Sequence, residues 1–208
     1  MASSQQPTAV LVPVVTSTHQ PTSALISQAH YADLPITGWT CDWQSIWHHT
    51  DFDCQAIVKM TEGGNLWGLM RYSLYPYDPE DIPPKPKFLF IENVEAHPAR
   101  RKSFMSRYTQ KMSIPEPFIN PVGRWLVWHA CQIALDYCMV DEGTVLGLTA
   151  TSDAVAYYRD IIGMPMKNVG LSQVGGDEYA FSFTRDEAQN FCDLQRTAFG
   201  NPKATFAS

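Results

Sequence analysis

Apolar and polar positions change period several times along the chain. "CQAIVKM" (54–60) and "NLWGLMRYSLY" (65–75) read as two strands, and the turn "TEGGN" between them holds Gly63 and Gly64. Glycines tolerate the positive φ of tight turns, so the two runs are predicted to form an antiparallel hairpin. A Pro-rich stretch, "YPYDPEDIPPKPK", interrupts the pattern before "FLFIENVEA" (88–96). Strict alternation there puts Phe88, Phe90, Glu92 and Val94 on one face and Leu89, Ile91, Asn93 and Glu95 on the other. Both faces are apolar at its start, which places this strand centrally in a sheet.

A helical period follows in "INPVGRWLVWHACQIALDYCMVDEG" (119–143), with Asn120 as a suitable N-cap, Pro121 in the first turn and Gly143 just past the end. Its apolar residues run nearly all the way round, so burial on more than one side is expected. "TVLGLTAT" (144–151) reads as a buried strand. "SDAVAYYRDIIGM" reads as a helix capped by Thr151 or Ser152 and stopped at Gly163, and "EYAFSF" as an alternating strand. The last helix, "TRDEAQNFCDLQRTAFG", opens on a Thr184/Glu187 capping box and closes near Gly200. Strand, helix, strand, helix and strand in that order imply an α/β fold with a mixed sheet and crossover helices.

The first fifty residues carry weaker patterns. "AVLVPVV" fits a first edge strand or a loose arm, and "SALISQAHYA" is weakly helical. Trp39, Trp43 and Trp47 are four apart, a spacing that aligns them on one helical face, where core packing is their expected role.

At 208 residues the chain suits a single domain spanning 1–208, and no apolar run approaches the roughly 20 residues that span a bilayer. The amino terminus has no Lys or Arg before Lys59, so it lacks the basic start of a secretory signal. Cys41, Cys54, Cys131, Cys138 and Cys192 lack a CxxC spacing, and they read as reduced thiols of a cytoplasmic protein. A net charge of −6 argues against non-specific nucleic-acid binding. It conceals a cluster, however, because Arg100, Arg101, Lys102, Arg107 and Lys111 fall in an acid-free stretch between Glu95 and Glu116.

His48, His49, Asp51, Asp53 and Cys54 are metal-ligand types without an established spacing, so no metal is expected. His129 reads as a core histidine. The start of the long helix is the more informative feature. Val122, Gly123 and Arg124 present backbone N–H groups without intrahelical partners, the helix dipole favours an anion there, Gly123 permits close approach, and Arg124 adds a charge.

The element order from 52 to 184 resembles the GNAT superfamily of acyl-coenzyme A-dependent N-acyltransferases. The resemblance rests on Ala96-His97-Pro98 ending a central strand, on Gly123 in a loop that starts a long buried helix, and on Tyr158 before Gly163-Met164. It departs in three places. Asn120-Pro-Val-Gly123-Arg-Trp125 keeps only the central glycine of the pyrophosphate loop. About twenty residues separate Pro98 from Asn120, and an alternative register at Arg101 to Ser106 has the Arg without the Gly. Tyr158 lies five residues before Gly163, one more than is commonest, so that Tyr157 is the alternative.

The resemblance implies a mostly antiparallel sheet with flanking helices and a cleft between the family's fourth and fifth strands. It implies acetyl-CoA or another acyl-CoA as cosubstrate, a primary amine as acceptor, and no metal. Val94, Ala96, Arg101, Asn120, Val122, Gly123, Arg124 and Trp125 would then bind the cosubstrate. Glu92, or Glu95 as second candidate, would take the amine proton, and Tyr158 would protonate the departing thiolate. Alternation puts Glu92 and Glu95 on opposite faces, so only one should enter the cleft. A catalytically inactive GNAT-fold binding or regulatory module is the alternative.

Overall fold

The structure is a computed structural model, and it describes residues 9–75, 86–97, 118–139, 143–171 and 177–205. The hairpin is present as β3 (Gln55–Glu62) and β4 (Asn65–Tyr75), with positive φ at both turn glycines. The other elements in chain order are β1 (Ala9–Thr16), β2 (Pro21–Gln28), α1 (Trp43–His48), β5 (Phe88–Ala96), β6 (Ile119–Asn120), α2 (Val122–Tyr137), β7 (Thr144–Thr151), β8 (Met166–Leu171), β9 (Asp177–Thr184), α3 (Arg185–Phe199) and β10 (Lys203–Thr205). Among the described residues the strands form one sheet in the order β10-β1-β2-β3-β4-β5-β7-β9-β8, with β6 paired to β1. Every pairing is antiparallel except β5 with β7.

The amino-terminal stretch is an inner strand. β1 pairs with β2 along its length, while its outer side meets β10 at 9–11 and β6 at 15–16. Pro13 falls in the gap between those two outer partners, where a missing N–H leaves no ladder bond unmade. Its carbonyl instead accepts the indole N–H of Trp125 at 2.7 Å.

Two expected elements in the first fifty residues are corrected. "SALISQAHYA" is not helical, because Pro21–Gln28 forms β2, with Ala24 and Ile26 buried on one face at the two-residue period of a strand. The tryptophan stripe does not lie on one helix, since Asp42 caps α1 and Trp39 precedes it. The three indoles still meet, Trp43 buried and Trp39 and Trp47 packed around it with Ile57 and Leu69.

In α2 the cap residue is Pro121, which offers no side-chain hydrogen bond, and Asn120 pairs with Val15 instead of capping. This helix ends at Tyr137, well short of Gly143. Burial round the helix is as expected, with Trp125, Leu126, Val127, Ala130, Cys131 and Ala134 all at 0% exposure. One side of α2 packs on β4, β5 and β7, and α3 covers another. Arg185, at the start of α3, donates to the carbonyls of Leu135 and Cys138 and so satisfies the last turn of α2. The Thr184/Glu187 capping box opens α3 as anticipated.

Candidate active site

β5 and β7 pair only at Leu89 with Leu146, Phe90 with Gly147 and Ile91 with Leu148. Beyond Ile91, β5 remains bonded to β4 as far as Ala96, and β7 remains bonded to β9 as far as Thr151. The two strands therefore part in the middle of the sheet, and the inner edge of β5 from Glu92 onward loses its strand partner. An opening of this kind leaves main-chain N–H and C=O groups in need of other partners.

Glu92 is the first residue past the split, and it sits in a bulge. Arg71 pairs with Asn93 and Tyr72 with Ile91, so Glu92 has no partner on β4. The extra residue resets the alternation. Leu89, Ile91, Val94 and Ala96 pack on the α2 side, with Met70 and Tyr72 of β4. On the opposite side, Glu95 pairs in register with Leu69, which packs against Trp43 of α1. Glu92 reaches the same side, where its Oε1 accepts from Ser73 Oγ at 2.8 Å and from Tyr75 Oη at 3.1 Å. The expectation of opposite faces is thus corrected: both carboxylates face the α1 side.

Their surroundings set them apart. Glu95 is 1% exposed and accepts from the backbone N–H of Thr40 at 2.7 Å, that of Cys41 at 3.0 Å and the indole N–H of Trp43 at 3.2 Å. With both oxygens engaged, Glu95 anchors the segment that leads into α1. That segment also lines an open cavity of roughly 270 Å³ beside Ile36, Trp39, Thr40 and Asp42. Beyond Glu95, the His97 ring lies edge-on between Trp39 and Trp67, each at 5.7 Å. Burial pushes His97 below the ordinary histidine range, against an opposing pull from Glu95, so the ring is neutral at neutral pH. The sequence marked His97 only as the middle of a strand-ending step, and nothing in the pattern distinguished its role.

Two buried side-chain atoms at the same split have no hydrogen-bond partner among the described residues, Arg71 Nε and Asn93 Oδ1. They belong to register partners on β4 and β5. Buried polar atoms are normally satisfied, so the pair marks a place that suits a polar ligand or water.

The start of α2 lies behind Gly68 of β4, where an added Cβ would come within 2.6 Å of Val122. Two expected side-chain ligands turn away from it. Arg124 Nε donates to Gln195 on α3 at 2.8 Å and its guanidinium lies 5.5 Å over the Phe199 ring, while Trp125 is buried against Trp128, Phe199 and β1. What the helix start presents is backbone, and Gly123 has a visible reason to be glycine. A Cβ there would lie 2.3 Å from Tyr157 Oη, so the tyrosine hydroxyl fills the space a side chain would need.

The helix expected over 152–164 is a 3-10 turn, Ser152–Ala154, followed by a π-helical turn, Tyr157–Ile162. In the π turn the N–H of Gly163 reaches the carbonyl of Tyr158, five residues back, and Gly163 closes it at φ 76°. The wider turn accommodates the extra residue between Tyr158 and Gly163. It aims Tyr157 at Gly123, whereas the Tyr158 ring is buried against Phe181, 5.7 Å away, and Tyr157. Arg101 and the rest of the basic cluster lie outside the described residues. No group of three or more metal-ligating side chains occurs among the described residues, and none of their helices is long and apolar enough to cross a membrane.

No protein-family model and no curated protein sequence matches the chain. Solved structures do match. RimJ of Mycobacterium smegmatis, in complex with CoA-disulfide, superposes with a TM-score of 0.52 at 10% identity over 94% of this chain and 97% of that one. A GNAT family acetyltransferase of Elizabethkingia anophelis with acetyl-CoA bound gives 0.51 at 9% identity over 77% and 97%. The chain has the GNAT fold. An uncharacterized protein from Bacillus halodurans gives 0.55 at 8% identity over 90% and 97%. In this GNAT fold the strands that part, β5 and β7, are the fourth and fifth of the expected topology, because β1 precedes the others and β6 is a two-residue insertion.

The split fits an acyl-CoA in one respect and resists it in another. The unpaired edge of β5, with the orphaned Asn93 Oδ1 and Arg71 Nε beside it, offers hydrogen bonds to an extended polar chain. At the α2 start, Tyr157 Oη already fills the space at Gly123 where a phosphate would approach.

Proposed function

We propose that this protein is an N-acyltransferase that moves an acyl group, acetyl as the leading choice, from acyl-coenzyme A to a primary amine. The observation that carries the reading is the parting of β5 from β7 immediately before Glu92. The ligands named for the two GNAT-fold structures, CoA-disulfide and acetyl-CoA, support a coenzyme A ester as the donor.

The thioester supplies an activated carbonyl and a stable thiolate leaving group. The residues of the chain supply orientation and proton transfer. In this reading the β5 edge at Val94 and Ala96 bonds the pantetheine amides, and the backbone at Val122 and Gly123 receives a phosphate. Arg124 and Trp125 contribute through main chain only, since their side chains are committed elsewhere, and Asn120, whose backbone pairs with Val15, stands next to the helix start. An amine of pKa near 10 must shed a proton to attack, and in this reading Glu92, the first residue past the split, accepts it. As the C–N bond forms and the C–S bond breaks, Tyr158 donates its phenolic proton to the sulfur. Glu95 is assigned no proton transfer, because its oxygens hold Thr40, Cys41 and Trp43. The cavity beside Trp39 and Asp42 adjoins the same side and suits entry of the acceptor.

The Tyr157 hydroxyl against Gly123 favours a second reading, a GNAT-fold module that binds or senses without catalysis. Calorimetric titration with CoA and acetyl-CoA, followed by thiol release in the presence of a panel of primary amines, separates the two. Binding with thiol release supports the enzyme, binding alone supports a module that uses CoA as its ligand, and no binding at millimolar ligand removes the enzyme reading.

A further inference from the structure

The hydrogen bonds around Glu92 form a chain with a fixed direction. The backbone N–H of Asp51 donates to Gln55 Oε1 at 2.9 Å, which fixes the Gln55 amide with its nitrogen towards β4. Gln55 Nε2 then donates to Ser73 Oγ at 2.8 Å. Because an amide nitrogen only donates, Ser73 Oγ is an acceptor here, and its one proton goes to Glu92 Oε1 at 2.8 Å. Ser73 is fully buried, and Tyr75 Oη adds a second donor to the same oxygen at 3.1 Å. Glu92 Oε2 has no hydrogen-bond partner among the described residues.

We infer that Ser73, oriented by Gln55, is a positioning residue for the transfer reaction: with Tyr75 it commits Oε1 of Glu92 to the protein and leaves Oε2 as the proton acceptor. The inference rests on the reading of Glu92 as the base. Its physical content is geometric. Two hydroxyl donors on one oxygen hold the carboxylate plane, so that the lone pairs of the other oxygen have one direction relative to the split. A carboxylate held by a single flexible contact would spend much of its time pointing elsewhere, and general-base efficiency falls when the acceptor leaves hydrogen-bond reach.

The test uses the full chain carrying Ser73→Ala, Ser73→Thr or Tyr75→Phe. The Glu92 carboxyl carbon resonance is assigned by its loss in Glu92→Gln and compared among the variants at one neutral pH. Loss of a hydroxyl donor changes the shielding of a carboxyl carbon, so Ser73→Ala should displace the resonance from its parent position. Ser73→Thr, which keeps the hydroxyl, should restore it, and Tyr75→Phe should displace it by less. Tyr75→Phe also keeps the inference testable should a change at buried Ser73 impair folding. In acetyl transfer from acetyl-CoA to a panel of primary amines, Ser73→Ala should lower kcat about tenfold, Ser73→Thr should recover most of that loss, and KM for acetyl-CoA should stay within about twofold in both.

Resonances that coincide with the parent in both the Ala and the Phe variants overturn the inference. A displaced resonance with an unchanged kcat also overturns it, because Glu92 would then not be the base. If the parent binds acetyl-CoA yet acetylates no amine on the panel, the enzyme reading fails on that measurement, and the resonance still decides whether Ser73 and Tyr75 hold the carboxylate.

Discussion

Two glutamates three positions apart do different work. Glu95 is buried, and its carboxylate gathers two backbone amides and an indole from a segment more than fifty residues away in sequence. Removing it strands those donors, so Glu95→Ala should destabilise the protein by about 3 kcal/mol, read as a lowered urea midpoint. Glu92 is partly exposed, and among the described residues its carboxylate accepts only from the hydroxyls of Ser73 and Tyr75. Glu92→Gln should change stability by less than about 1 kcal/mol while lowering acyl transfer about a hundredfold. Equal stability losses in the two variants would contradict this division. The residue types were legible in the sequence, and both carboxylates were singled out from a strand that otherwise reads as core. Their faces were not. A bulge is one residue of slippage between two strands, and alternation within a single strand contains no sign of it. Nor does alternation reveal the hydroxyls of Ser73 and Tyr75, which meet Glu92 only through the register of β4 with β5.

At the scale of elements, the long periodic segments were legible because a buried helix or a central strand repeats its pattern several times. β3, β4, β5, β7, β9, α2 and α3 were all anticipated, and β2 was misread. Its Ala, Leu and Ser residues suit either period, and only pairing with β1 and β3 decides between them. The π turn escaped for the same reason, since its apolar spacing resembles that of an ordinary helix. Its contact with α2 yields a prediction. Gly123→Ala should gain up to about 1 kcal/mol of helix propensity, yet the new Cβ would meet Tyr157 Oη at 2.3 Å. The substitution should therefore destabilise by about 1–2 kcal/mol alone and become stabilising in a Tyr157→Ala background. Additive effects in that double-mutant cycle would show that the contact carries no weight. α2 also carries a pH-dependent element. Burial pushes His129 down to about 4, so protonation favours the unfolded chain. Stability from this group is complete above the ordinary histidine value of about 6.5 and is lost progressively as pH falls towards about 4. His129 as a residue is only partly buried, so the loss is placed at about 2 kcal/mol, below the full linkage value. His129→Gln should flatten that part of a plot of urea midpoint against pH, and an unchanged slope would contradict the assignment.

Across the whole molecule, the order of elements implied the fold, whereas the opening that gives the fold its use depends on where two parallel strands stop pairing. Three register pairs join β5 to β7, and past Ile91 the two halves of the sheet go separate ways. Before the split each β5 amide lies between two strands; after it, the amides directed at β7 have no strand to meet. Those amides between Glu92 and Ala96 should exchange with solvent faster than the ones directed at β4, because unpaired edges open at little free-energy cost. An acyl-CoA seated in the split would give them partners again and would bind only the folded chain. At a ligand concentration one hundred times Kd, that selectivity stabilises by about 2.7 kcal/mol, which for a protein of this size raises Tm by roughly 5–10 °C. Hydrogen exchange should then slow in the β7-directed amides of 92–96 and at the start of α2, while the β4-directed amides, already paired, change only by the global amount. A rise in Tm without local slowing in β5 would place the ligand elsewhere on the molecule. Slowing in β5 without any at Val122 and Gly123 would mean that Tyr157 keeps its place and that the phosphates lie outside the helix start.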